Sequence, residues 1–234
     1  MEKEQIDQLV KEAVKTGKWM LRRSNNGKSY NDFLWSPIGE WTEAPDWNPS
    51  PTCGGGLHGN GPESSGYWTV GKDLDFCLIG NNIVDINGNK IKVEKAMVLL
   101  RNSLPEGLSV GGSLDLEGTQ ITSLPEGLSV GGSLDLRGTQ ITSLPEGLSV
   151  GGSLYLRGTQ ITSLPEGLSV GGSLDLRGTQ ITSLPEGLLV EGSLDLRGTQ
   201  ITSLPEGLSV EGSLYLRGTQ ITSLSEGLKH KVIR

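Results

Sequence analysis

The stretch LPEGLSVGGSLDLEGTQITS, residues 104–123, returns as LPEGLSVGGSLDLRGTQITS from Leu124 and as LPEGLSVGGSLYLRGTQITS from Leu144, and six such 20-residue units run to Ser223. A period of this length marks an array in which no unit buries its own apolar face and each stacks on its neighbour. One unit offers Leu104, Leu108, Val110, Leu114, Leu116 and Ile121, worth about 1.5–3 kcal/mol each if buried. Ordering its backbone costs about 1–2 kcal/mol per residue. A lone unit is therefore expected to be unfolded, and only coil-to-coil hydrogen bonding with a continuous stack of Leu, Val and Ile reverses that balance.

Within a unit, Ser113, Leu114, Asp115, Leu116 and Glu117 alternate polar with apolar, the period of a half-buried strand. This predicts one parallel sheet with Leu114 and Leu116 facing in and Ser113, Asp115 and Glu117 facing out. Gly118 and the Pro105-Glu106-Gly107 triplet read as corners, proline fixing φ and glycine permitting φ > 0. The segment LDLEGTQITSLP (114–125) resembles the leucine-rich-repeat pattern LxLxxNxLxxLP, in the short bacterial class whose units carry a Leu-Pro step. The resemblance covers the repeats alone. Thr119 and its equivalents stand at the asparagine position, and Gly111 at a leucine position. The resemblance implies a repeat solenoid, with a curved horseshoe or a straighter parallel β-helix both open.

The alternation places three columns of side chains on the strand face, one rung per coil. Serine fills the first, Ser113 to Ser213. The second reads Asp115, Asp135, Tyr155, Asp175, Asp195, Tyr215, and the third Glu117, Arg137, Arg157, Arg177, Arg197, Arg217. One reading is a self-neutralising solvated face. The other is a binding strip anchored by Tyr155 with Arg157 and Tyr215 with Arg217, since Tyr and Arg are enriched at binding hot spots, with Asp135, Asp175 and Asp195 as charged neighbours. The near-identity of the units favours a repetitive surface over one tuned residue by residue. The C-terminal residues 224–234 exchange proline for Ser225 and add basic residues, and read as a cap.

Aromatic content divides the chain. Every Trp and Phe lies before residue 77, whereas the repeats hold only Tyr155 and Tyr215. Ile6, Leu9, Val10, Ala13 and Val14 make the one-sided stripe of an amphipathic helix over 3–15, with Gly17 as its stop. Residues 35–65 read as irregular loop. Strands are predicted at 66–70, 74–79, 83–86 and 91–100, the last two joined by a turn at Asn87-Gly88-Asn89. The expected fold class is thus a β-rich repeat solenoid, leucine-rich-repeat-like with a parallel sheet, over 101–234, preceded by a small α+β capping domain over 1–100.

The segment CGGGLHG (53–59) invites a chemical reading. Cys53 and His58 lack an orienting third group, the glycines lack the Lys-Ser/Thr of a phosphate loop, and Cys53, His58 and Cys77 have no recognised metal spacing. The reading preferred is a glycine turn packed under Trp47 and Trp68. Together with WTEAPDW (41–47), the segment resembles N-terminal regions of phage-encoded proteins, and its Gly-x-Gly step is similar to that of ADP-ribosyltransferases, for which Glu94 is the nearest catalytic glutamate.

The chain has 234 residues, 20 basic against 27 acidic for a net charge of −7, and two Cys. This balance disfavours nucleic acid and anionic membranes, and the Cys spacing disfavours a disulfide scaffold or structural zinc. MEKEQIDQLV lacks the order of a secretory signal. The expectation is a cytoplasmic, non-catalytic module for a protein partner, without cofactor or metal, contacting it through the repeat face or through Trp41, Trp47, Cys53 and His58. The alternatives are an enzyme in the first hundred residues, with the repeats as targeting arm, and a structural spacer or self-assembling repeat.

Overall fold

The computed structural model describes residues 1–28, 33–51, 56–64 and 71–233. Helix α1 (Lys3–Thr16) forms where the apolar stripe predicts it, burying Val10 and Ala13, and stops at Gly17 in the left-handed conformation. Seven strands follow: β1 (Trp19–Ser24), β2 (Trp41–Glu43), β3 (Leu57–Gly59), β4 (Asp73–Ile79), β5 (Ile83–Ile86), β6 (Lys90–Val93) and β7 (Lys95–Arg101). They build two antiparallel sheets, ordered β1-β4-β7-β2 and β3-β6-β5.

Two expectations need correction, and one strand, β1, stands where none was predicted. Residues 91–100 are two strands that serve different sheets, parted at Glu94, because a single long strand cannot pair with both β5 and β4. Residues 35–65 hold β2 and β3, whose three-residue length gives too little alternation to read. Trp19, Met20 and Leu21 of β1 are all buried, so that strand shows no period of two. The strand expected at 66–70 lies outside the described residues. The turn at Asn87-Gly88 has φ > 0 at both residues, as a tight hairpin requires.

The repeats form a β-solenoid whose coils each carry two strands. Ser109–Val110 and its equivalents make a six-stranded parallel sheet, and Leu114–Asp115 and its equivalents, with Val232–Ile233 at the end, a seven-stranded one. The single five-residue strand expected at 113–117 is thus shorter, and a second strand precedes it. Hydrogen bonding nonetheless continues past the Leu114–Asp115 strand, with the Leu116 N–H on the Asp135 carbonyl and the Gly118 N–H on that of Arg137, both 2.8 Å. Val110, Leu114, Leu116 and Ile121, with their equivalents, are buried and form one apolar cluster that reaches Leu74, Phe76, Met97 and Leu99. The solenoid core and one face of the four-stranded sheet are therefore continuous.

Between the two strands stand two glycines that serve differently. The second, at 112, 132, 152, 172, 192 and 212, is glycine in every coil. A Cβ on Gly152 would lie 2.8 Å from the Gly132 carbonyl carbon, a backbone atom that cannot yield. The first is crowded as well, a Cβ on Gly151 lying 2.4 Å from the Gly131 carbonyl oxygen, yet Glu191 and Glu211 stand at this position in later coils and keep the inter-coil bond, the Glu191 N–H donating to the Val170 carbonyl at 3.1 Å.

Both ends are closed by side chains that stand in for a missing coil. Inside the stack the Asp135 and Arg137 carbonyls accept N–H bonds from the coil before. In the first coil the Arg23 guanidinium supplies them, Nη2 to the Asp115 carbonyl at 3.2 Å and Nη1 to that of Glu117 at 2.8 Å. The Gly111 N–H donates to the Pro62 carbonyl at 2.7 Å and the Gln120 N–H to that of Lys72 at 2.9 Å. At the other end α2 (Glu226–Lys229) shortens the last turn, so that Leu214 pairs with Val232 rather than with a residue twenty positions on. Lys231 then turns its Nζ onto the Val210 carbonyl, which in earlier coils accepts a main-chain N–H. Several of the main-chain groups that would otherwise invite pairing with other chains at the ends are thereby satisfied.

Candidate binding face

The column Asp115 to Tyr215 lies in the second sheet, in register from coil to coil. Its aspartates face outward less fully than alternation implies. Asp135 and Asp175 are buried, because each folds back onto the residue two places later. Asp135 accepts the Arg137 main-chain N–H at 3.1 Å and the Arg137 guanidinium at 2.9 Å from Nε and 2.5 Å from Nη2. Asp175 and Asp195 hold Arg177 and Arg197 in the same way. The arginine answering is in every case that of the same coil. Arg177 additionally approaches Asp195 at 3.4 Å.

These pairs set the electrostatics. Burial pushes the Asp175 carboxyl up, but the two hydrogen bonds and the charge of Arg177, with a smaller contribution from the charge of Arg157, together outweigh it, and the net shift is downward. The carboxylate contacts hold the Arg137, Arg177 and Arg197 guanidinium groups above their ordinary range. Asp115 shifts the other way: burial dominates, and the Glu117 N–H and Arg23 only partly offset it. Asp115, Glu117 and Asp135 lie within 4.8 Å of one another. Arg23 and Arg137 occupy the space among them, Arg23 on Asp115 at 3.1 Å and Arg137 bridging Glu117 and Asp135.

The two tyrosine coils break this arrangement. Tyr155 and Tyr215 are half-buried, each ring lying under the arginine of the preceding coil, Arg137 at 5.7 Å and Arg197 at 5.2 Å from the ring centre. With tyrosine at the aspartate position, Arg157 and Arg217 lose their carboxylate. Among the described residues neither makes an ion pair or a side-chain hydrogen bond, and both are exposed. Arg157, Gly158, Arg177, Gly178 and Arg197 line a shallow depression of ≈ 390 Å³. The expected pairs Tyr155 with Arg157 and Tyr215 with Arg217 thus share a face, while the ring contacts go to the arginine one coil earlier.

The serine column, read as exposed, is half-buried and forms a ladder: the Ser133 N–H donates to the Ser113 hydroxyl at 3.0 Å, and the bond repeats up to Ser213. Thr119 and its equivalents at 139, 159, 179, 199 and 219 donate their hydroxyls to the carbonyl three residues back, within the same coil. Both columns thus serve the coil stack itself, the threonine hydroxyls within a coil and the serine hydroxyls between coils.

The N-terminal candidates within the described residues are Trp41, Trp47 and His58. Trp41 on β2 is 40% exposed with Lys95 Nζ 5.0 Å over its ring. Trp47 packs on Gly56, where a Cβ would meet its ring at 3.2 Å. His58 on β3 is half-buried, and burial with Lys90 and Lys92 lowers its pKa, so it is neutral at pH 7. Cys53 and Trp68 lie outside the described residues. Cys77 is buried, and desolvation pushes its thiol far above the thiolate range. Glu94 accepts a hydrogen bond from Asn82.

A buried charge cluster escaped the sequence reading. Asp75 is fully buried and accepts Arg22 Nε at 3.0 Å, the Ser24 hydroxyl at 2.9 Å and Arg101 Nε at 2.7 Å, while the Arg22 guanidinium stacks on Trp35 at 3.8 Å. Burial lowers the Arg22 pKa against the raising effect of Asp75. No alternation marks it, since β1 and β4 are buried along nearly their whole length, and only the register that sets Arg22 opposite Asp75 brings the charges together. The seam nearby, lined by Arg23, Asn60 and Leu114, leaves a cavity of only ≈ 20 Å³, about one water molecule, so it holds no small-molecule site.

No protein-family model, curated protein or solved structure matches the chain.

Proposed function

We propose that the protein is a non-catalytic binding module that takes up a protein partner on the second sheet of its solenoid, the N-terminal region serving as cap. One observation carries this: Tyr155 and Tyr215 interrupt an otherwise self-paired Asp-Arg face, each half-buried beneath an arginine and beside an unpaired one. Aromatic and arginine anchors of this kind concentrate binding energy. The leucine-rich-repeat resemblance points the same way, and the compartment in keeping with two Cys is the cytoplasm. Among the described residues no helix is long and apolar enough to cross a membrane. Cys77 is buried and its thiol is pushed far above the thiolate range, which weighs against nucleophilic chemistry at that residue. End-on self-assembly is disfavoured at the first coil by Arg23 and at the end of the six-stranded sheet by Lys231, which occupy main-chain carbonyls there.

The test is affinity capture from the native host with wild type, Tyr155→Ala, Tyr215→Ala and Trp41→Ala. A partner on the repeat face is lost from the Tyr variants, whose cost is about 1–3 kcal/mol each, and retained by Trp41→Ala. Capture indifferent to both Tyr changes and abolished at Trp41 overturns the reading and moves the contact to the N-terminal region.

A further inference from the structure

We propose that the partner segment on this face is acidic and extended, with two carboxylates four residues apart, one for Arg157 and one for Arg217. This rests on the reading of the repeat face as the binding face, and names the chemistry it selects.

Tyrosine removes an acceptor from its coil. In an aspartate coil one carboxylate neutralises the arginine two residues later and holds that residue's main-chain N–H, at 3.1 Å in the Arg137, Arg177 and Arg197 coils. In a tyrosine coil both donors lose it. Arg157 and Arg217 therefore present a guanidinium fork and a main-chain N–H with no acceptor among the described residues. A carboxylate is the acceptor that both groups have in every other arginine coil of the stack, and the bidentate fork suits it. Tyrosine keeps the site open without filling it, since its ring is turned under the arginine of the preceding coil.

The spacing selects the partner. Coils 155 and 215 are three rungs apart, about 14 Å at the usual separation of paired strands. An extended chain advances about 3.4 Å per residue, so positions i and i+4 lie about 14 Å apart on one face. Positions i and i+2 reach only half as far. Between the two sites Arg177 and Arg197 are held by Asp175 and Asp195, so from 157 to 217 the strip carries four guanidinium groups against two carboxylates. It is a locally positive strip on a chain of net charge −7. That overall charge repels long polyanions, which favours a short acidic protein segment over nucleic acid.

Fluorescence anisotropy of the full chain with a labelled Thr-Glu-Thr-Val-Thr-Glu-Thr peptide tests this. A control peptide of equal charge has its glutamates two residues apart. Tyr155→Asp with Tyr215→Asp recreates the coil found at 135 and 175, so folding is preserved, and the change supplies each arginine with its carboxylate. The expected result is binding of the i, i+4 peptide to wild type. It should weaken about tenfold or more in the double Asp variant and stay within about twofold in Tyr155→Phe with Tyr215→Phe. Asp175→Asn, which frees Arg177, should strengthen it. Equal binding by the double Asp variant, loss of binding in the Phe variant, or equal affinity for the control peptide overturns the proposal. So does tighter binding of a labelled single-stranded oligothymidylate with the same dependence on Tyr155 and Tyr215. Failure of the peptide to bind wild type overturns the acidic-partner inference alone, because the capture experiment with the alanine variants judges the face itself.

Discussion

The cap and the solenoid bury comparable side chains by different means. The cap specifies its arrangement with single, unrepeatable contacts: Trp19 tilted on Phe76, Arg22 between Asp75 and Trp35, Asn102 bridging β4. The solenoid uses one contact set six times, with aliphatic rungs inside and hydrogen bonds from each coil to the next. The lesson is that repetition makes each rung dispensable to specificity but leaves the ends unsatisfied. Uniqueness is therefore concentrated where the cap meets the first coil, at Arg23, Pro62 and Lys72.

The comparison is broken most severely at Asp75. Asp75→Ala leaves Arg22 buried without its carboxylate, and loss of one partner of a buried pair costs about 3–5 kcal/mol. Urea unfolding should show that loss, and because β1 also carries Arg23, fluorescence of Trp19 and circular dichroism of the repeats should fall together. Separate transitions would show that the two regions are less coupled than their shared core implies.

Next is the corner of the coil. Gly152→Ala places a methyl against the Gly132 and Ser133 backbone, and overpacking of this kind costs about 1–3 kcal/mol. Gly151→Glu should cost less even though its Cβ approaches the Gly131 carbonyl oxygen at 2.4 Å, since Glu191 and Glu211 show that later coils accept a side chain at that position. Equal destabilisation by the two would refute the distinction between the glycines. A smaller effect is expected from Thr159→Val, which removes the hydroxyl bond to the Leu156 carbonyl, worth about 1 kcal/mol; the same change at the less buried Thr219 should register less in thermal unfolding.

The smallest effect is a pH dependence. Asp175 has its carboxyl held below the ordinary 3.8 in the fold. A carboxyl depressed in this way stabilises the folded state at pH above its unfolded value, and the contribution disappears as pH falls through the lower folded value. Asp175→Asn should therefore flatten the acid limb of the stability curve below about pH 4. An acid limb unchanged by the substitution would mean that the Arg177 pair contributes nothing to folding.

Much of this architecture is legible in one dimension. The period, the inward Leu, Val and Ile, helix α1 with Gly17 at its end, the Asn87-Gly88 turn and the Asp, Tyr and Arg columns all follow from spacing and residue type, because each depends on neighbours a few residues away. Tertiary structure alone decided the rest. The Ser109–Val110 strand is too short to alternate, so only its partner coils define it. The serine ladder exists because adjacent coils sit close enough for a hydroxyl to meet the next main-chain N–H. Arg22 and Arg23 are adjacent in sequence, yet one is buried on Asp75 and the other stands in for a missing coil, since alternation along β1 sends them to opposite faces. The same holds at the binding face. Sequence placed an arginine after every aspartate or tyrosine from Arg137 onward, but only the folded coil turns the aspartate onto its own arginine and leaves Arg157 and Arg217 without one, because charge pairing is settled by distances that a list of residues does not contain.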